Sequence, residues 1–141
     1  MGKVFTESFQ VRDYELDQYG VVNNAVYANY LEHTRHQFLH AVGIDPAGVA
    51  RSGESLALSE LHLRFRISLR SRERFRVEAW IGALRGARVV IEQRIVREPD
   101  EAEVLAATAV AVFLDGAGRP RRVSREHQAM FSPYLSSDEE A

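Results

Sequence analysis

Two acids, a glycine and a pair of asparagines crowd one short stretch: Asp13, Asp17, Gly20, Asn23 and Asn24. They lie in VRDYELDQYGVVNNAVYANYLEHTR, residues 11–35, just ahead of an amphipathic segment. The first-turn amides of a helix have no intrahelical partner and carry the positive end of its dipole. Such a terminus can hold a developing oxyanion. Gly20 permits a positive φ or a close approach in the connecting turn, and Asp17 is on that same turn. A carboxylate and a set of free amides then converge on one small volume. For hydrolysis of a thioester this suffices: the amides polarise the carbonyl, and Asp17 either attacks it or activates a water as general base. Thiolate leaves readily, so no strong general acid is needed. In a purely architectural role Asp17 forms an Asx turn before the helix, and Asp13 a turn or a cap.

The elements that must position these groups follow from periodicity. From Asn24 to Val42, Tyr27, Tyr30, Leu31, Thr34, Phe38 and Val42 recur at spacings of three and four, which predicts one long helix. Asn23 or Asn24 caps its start and Gly43 ends it. Residues 3–13 alternate as a strand, and residues 45–55 read as an irregular or short helical connection. Four further strands are expected at 60–67, 74–81, 87–98 and 104–114. In the first, Leu61, Leu63, Phe65 and Ile67 alternate with Glu60, His62, Arg64 and Arg66, which predicts one buried and one polar face. The last is apolar almost throughout, so part of the sheet is expected to pack on another subunit. Short turns make the strands antiparallel, and the class is α+β, one helix lying on a curved antiparallel sheet of five to six strands. Residues 124–131 read as a terminal helix or extension. One domain is expected over residues 1–135, with 136–141 a flexible acidic tail.

The chain has 141 residues and a mass of 16.0 kDa, enough for a single core. It contains no cysteine, which removes disulfides, thiolate metal sites and a Cys nucleophile together. The net charge of −2 gives no drive toward nucleic acid, and no apolar run approaches the roughly 20 residues of a membrane span. The first ten residues hold no apolar leader core, so a cytoplasmic location is expected. His33, His36 and His40 share a helix surface, but no acidic ligands accompany them and hydrolysis needs neither metal nor cofactor.

The pattern Asp17-x-x-Gly20-Val21-Val22-Asn23-Asn24-x-x-Tyr27, with Tyr30, Glu32 and Arg35 on the helix, resembles the hot-dog thioesterases of the para-hydroxybenzoyl-CoA thioesterase and YbgC-like group. Within that group the run from Arg12 to Ala25 looks closest to plant and bacterial acyl-acyl carrier protein thioesterases. The resemblance covers roughly residues 4–115 and implies a hot-dog fold, the long helix wrapped by the sheet. It places the catalytic acid at Asp17 and the carbonyl-polarising amide at Asn24. It also implies a homodimer with two sites at its interface, commonly a homotetramer of two dimers. Family members often carry His after the motif glycine, where this chain has Val21. The substrate implied is an acyl carrier protein or coenzyme A thioester of a fatty, β-ketoacyl or polyketide-type chain.

Arg35 is a further candidate, either contacting substrate or a partner subunit or ion-paired to Glu32 or Asp17. Gly20, Val22, Asn23, Tyr27 and Glu60 are candidates for substrate binding, Glu60 as a second acid near the acyl chain or as a salt-bridged edge residue. Tyr27, Tyr30 and Phe38 line an acyl tunnel or, as is usual at this spacing, the core. Arg64, Arg66, Arg70, Arg72, Arg74 and Arg76 cluster on one strand pair and suit either partner docking or simple solubility. The rival to catalysis is an acyl-binding module of the same fold without turnover. A dehydratase ranks last, since it requires a catalytic His that the segment lacks.

Overall fold

The computed structural model describes residues 2–136, so residues 137–141 of the expected acidic tail lie outside the described residues. The strands are β1 (Phe5–Gln10), β2 (Ser55–Phe65), β3 (Arg74–Arg85), β4 (Arg88–Glu98) and β5 (Ala102–Leu114). The helices are α1 (Asn24–Val42), α2 (Pro46–Arg51) and α3 (Arg125–Phe131), with 3-10 turns at Asp13–Glu15 and Ser132–Tyr134. All pairings are antiparallel in one five-stranded sheet of order β1-β3-β4-β5-β2. This is the expected α+β architecture, a long helix on a curved antiparallel sheet.

Helix α1 has the expected limits. The Asn23 side chain accepts from the Ala25 N–H, and Gly43, at φ 97°, donates to the carbonyls of Leu39 and His40. Its apolar stripe lies over β3, β4 and β5 and divides the core in two. Around the helix start, Tyr27, Tyr30 and Leu31 pack with Val22, Leu69, Phe75, Val77, Ile95 and Leu105. Around its end, Phe38 and Leu39 pack with Ile81, Ile91, Phe113 and Phe131. Tyr30 and Phe75 rings lie 4.7 Å apart and Phe9 stacks on Phe75 at 5.2 Å. Each such buried ring contributes about 1.5–3 kcal/mol, so the residues that fix the helix start are among the best anchored in the chain.

Two expectations are corrected. The first strand ends at Gln10 rather than residue 13, because Asp13–Glu15 closes into a turn that carries the chain off the sheet. The leucine face of β2 is not buried: Leu61 and Leu63 are half-buried, while Leu58 and Phe65 are each 49% exposed. The reason is position. β2 is an edge strand, paired only to β5 and bulged between Leu58 and Glu60, so one flank of it has no neighbouring strand. The connection from β2 to β3 crosses the end of the sheet beneath the start of α1, and there it meets the acidic turn.

Candidate active site

Residues 16–22 form a small hairpin. Leu16 and Val22 face each other, Asp17 N–H donates to the Val21 carbonyl, and Gly20 N–H donates to the Asp17 carbonyl. Gly20 takes φ +76°, where an L side chain is strained, although space around it is open. The requirement at this position is therefore conformational rather than steric. The hairpin is pinned on three sides: Val22 N–H donates to the Leu69 carbonyl, Val21 bridges Arg70, and Asn23 N–H donates to the Glu15 carbonyl.

Asp17 is half-buried, and one carboxylate oxygen accepts the Tyr19 N–H at 2.8 Å. The Asx turn is thus formed, and the second oxygen makes no hydrogen bond among the described residues. At the helix start the Ala25 N–H is taken by the Asn23 side chain and the Val26 N–H by the Asn23 carbonyl, at 2.9 Å each. The Asn24 N–H has no partner among the described residues. Only Asn23 separates it from Val22, which faces Leu16 beside Asp17. One unengaged first-turn amide and one unengaged carboxylate oxygen are presented by the same pinned loop.

The other candidates separate into those that build this loop and those that stand away from it. Val22 and Tyr27 are buried, so their side chains are core rather than groove. The Tyr27 hydroxyl accepts the Leu69 N–H at 2.9 Å, which ties the helix to the crossover. Burial, with the charges of Glu73 and Asp17, raises the Tyr27 pKa against the lowering effect of that N–H, and keeps the phenol protonated. Arg35, 8% exposed, makes neither expected ion pair. Its guanidinium donates to the Gln93 Oε1 at 3.0 Å, and Gln93 in turn donates to the Leu31 carbonyl, tying α1 to the middle of β4. The helical turn that carries Arg35 points it down at the sheet, away from the Asp17 loop. Burial lowers its pKa, which the charge of Glu32 only partly offsets. Glu60 is exposed on β2, its carboxylate 3.1 Å from the His62 Nε2. It stands five residues from Phe65, whose ring meets Tyr27, and so roughly 16 Å along the strand from the helix start.

The polar residue that organises the site was not among the candidates. Glu15 is 6% exposed and accepts from the Arg12 N–H, the Tyr30 hydroxyl (both 2.8 Å) and the Arg12 guanidinium (3.0 Å). Burial opposes its charge, but these donors outweigh it and hold the carboxyl below the usual glutamate range. Tyr30 is pushed strongly upward by burial and by its bond to Glu15. Asp13 accepts from Ser71 at 2.5 Å, a turn role that also fastens the crossover. The spacing of Arg12 and Glu15, three residues apart like the ends of a capping box, was the available signal.

Residues 11–131 match the thioesterase-like superfamily. The chain belongs to that superfamily. It is a thioester hydrolase by membership. Two chloroplastic proteins of Arabidopsis thaliana, the acyl-acyl carrier protein thioesterases ATL3 and ATL2, are similar over most of it. ATL3 is 45% identical over 139 residues, which is 99% of this chain and 73% of the relative. ATL2 is 46% identical over 125 residues, 89% of this chain and 66% of the relative. Among solved structures, the 1,4-dihydroxy-2-naphthoyl-CoA thioesterase from Synechocystis superposes with a TM-score of 0.85 at 16% identity, covering 92% of this chain and 96% of that one. At that identity the likeness establishes the fold, and the fold is that of the hot-dog thioesterases. No helix of the described residues is long and apolar enough to cross a membrane, and no group of three or more potential metal ligands occurs among them.

Proposed function

We propose that this thioesterase hydrolyses an acyl thioester carried on an acyl carrier protein or coenzyme A. Water and the thioester give a free acid and a free thiol. The observation that carries the reading is that the unpartnered Asn24 amide and the unengaged oxygen of Asp17 are both presented by one loop held by Leu69, Arg70 and Glu15. The carbonyl oxygen rests on the Asn24 N–H, where the helix dipole favours the charge that develops on it. Asp17 either attacks the carbonyl carbon, expelling the thiolate and leaving an acyl–Asp17 anhydride that water then hydrolyses to the free acid and the carboxylate, or takes a proton from an attacking water as the thiolate leaves. The similarity to the acyl-acyl carrier protein thioesterases ATL3 and ATL2 favours the carrier protein as the thiol, and the chain we propose is fatty, β-ketoacyl or polyketide-type. Free-thiol release from a panel of acyl-carrier-protein and acyl-CoA thioesters tests this. Turnover is expected to rise with acyl chain length on the carrier; turnover confined to short or aromatic CoA esters contradicts the chain class. After one turnover in heavy-oxygen water, label on the Asp17 carboxylate marks the covalent route.

The working form we propose is a homodimer, or a homotetramer of two such dimers. A groove of about 880 Å³ between β1 and α1 reaches Tyr14 and Glu15 but not Asp17 or Asn24. The edge strand β2, with Leu58 and Phe65 half-exposed, is the surface a second copy covers. Sedimentation is expected to return twice or four times 16.0 kDa. A monomer with full activity contradicts it.

A further inference from the structure

We propose that the turn from Arg70 to Arg74 is the docking edge for an acidic carrier protein that delivers its thioester to Asp17 on a flexible arm. The proposal rests on the hydrolytic reading above and names the partner. Of the clustered arginines, Arg66 pairs with Glu103 at 2.7 Å, and Arg76 with Glu101, Glu78 and Glu98 at 2.7, 3.0 and 3.5 Å. Nearby, Arg94 pairs with Glu78, and Arg97 with Asp100 and Glu73. Most of the positive charge on this end of the sheet is therefore already neutralised. The exceptions are Arg64, Arg70, Arg72 and Arg74, whose guanidinium groups have no acid within 4 Å among the described residues. Three of these four fall in five consecutive residues, and all three are exposed.

That turn does not move independently of the catalytic loop. Arg70 bridges Val21, Leu69 bonds both Val22 and Tyr27, Ser71 donates to Asp13, and Gln10 donates to the Arg72 carbonyl. The cations are thus carried at a fixed offset from Asp17. Arg72 holds φ +64°, a region in which a residue other than glycine costs free energy, and yet a long charged side chain occupies it. Tyr19, two residues beyond Asp17, is 77% exposed, and Tyr14 equally so. Arginine and tyrosine are the residue types enriched where interfaces concentrate their binding energy.

The arrangement also distinguishes two anionic partners. Coenzyme A presents compact phosphates, which are bound by donors converging on one cavity. The groove nearest the loop is lined by Arg12 but by none of Arg64, Arg70, Arg72 or Arg74. Cations strung along a projecting turn instead match an acidic protein surface, whose charges are spread and whose approach they steer.

The test uses the double charge reversal Arg72→Asp and Arg74→Glu, with Arg72→Lys and Arg74→Lys as the conservative pair. Asp is tolerated at positive φ better than most residues, so the reversal is compatible with the turn. Binding of an apo acyl carrier protein, which lacks the thioester arm, is measured over a salt series alongside kcat/KM for acyl-carrier-protein, acyl-CoA and acyl-pantetheine. Expected are carrier affinity and acyl-carrier kcat/KM at least tenfold lower in the reversal, near wild type in the lysine pair, with acyl-pantetheine kcat/KM unchanged. Unchanged carrier affinity overturns the proposal. So does an equal loss on acyl-CoA, which assigns the turn to nucleotide phosphates, or a change of oligomeric mass, which assigns it to a second copy. Wild type inert on every thioester sinks the hydrolytic reading, and the binding measurement alone then decides the docking surface.

Discussion

Asp17→Asn is expected to lower thiol release by about 10²–10⁴-fold, the range associated with losing a positioned base or nucleophile, while leaving the fold unchanged. The fold is spared because the amide oxygen of Asn still accepts the Tyr19 N–H that Asp17 now holds at 2.8 Å. It also sits well in an Asx turn. Only the charge and nucleophilicity of the free oxygen are removed. Steady-state kcat on an acyl thioester, with circular dichroism and mass checked for both proteins, reads this out. A loss of less than tenfold in a folded variant would reduce Asp17 to the turn residue that its geometry also permits.

Glu15→Ala is expected to act on stability rather than chemistry. The substitution strands the buried Tyr30 hydroxyl, at about 1–3 kcal/mol, and the part-buried Arg12 N–H, at the lower end of that range. Arg12 itself is mostly exposed, so its ion pair adds little. A total near 3 kcal/mol corresponds to a Tm lower by roughly 10 °C for a domain of this size. The same group sets an acid limb. Its folded pKa is depressed, so its contribution is complete above the unfolded value of about 4.3 and fades as pH falls through the folded one. Wild type is therefore expected to lose stability below about pH 4.3 more steeply than Glu15→Gln does. Parallel acid limbs would mean that Glu15 is not ionised in the fold.

How much of this was legible in the residues depended on range. Helix α1 could be read to its ends because both its stripe and its caps, Asn23 and Gly43, are local in sequence. The positive φ of Gly20 and the Asx geometry of Asp17 were legible for the same reason. Long-range partners were not. Arg35 meets Gln93, 58 residues away, and the Tyr27 hydroxyl meets the Leu69 N–H, 42 residues away. Neither is implied by any spacing. Glu15 looked like a loop acid because its burial comes from Tyr30 and the aromatic cluster around Phe75, which only the fold assembles. Alternation in β2 correctly marked a strand with one apolar face, but alternation does not say which strand lies at the edge, where that face is only half-buried. The arginine cluster was visible as a count. Which members keep their charge unpaired depends on glutamates of β3, β4, β5 and the β4–β5 turn.

The proposed hydrolysis requires one loop to bring a carboxylate and a free amide to the same thioester carbonyl. Its most direct test is the infrared carbonyl stretch of an isotopically labelled thioester bound to folded Asp17→Asn, which binds without turning over. The account predicts a shift to lower frequency on binding, because the Asn24 N–H and the helix dipole polarise the bond. A bound thioester whose carbonyl absorbs at its solution frequency would contradict it.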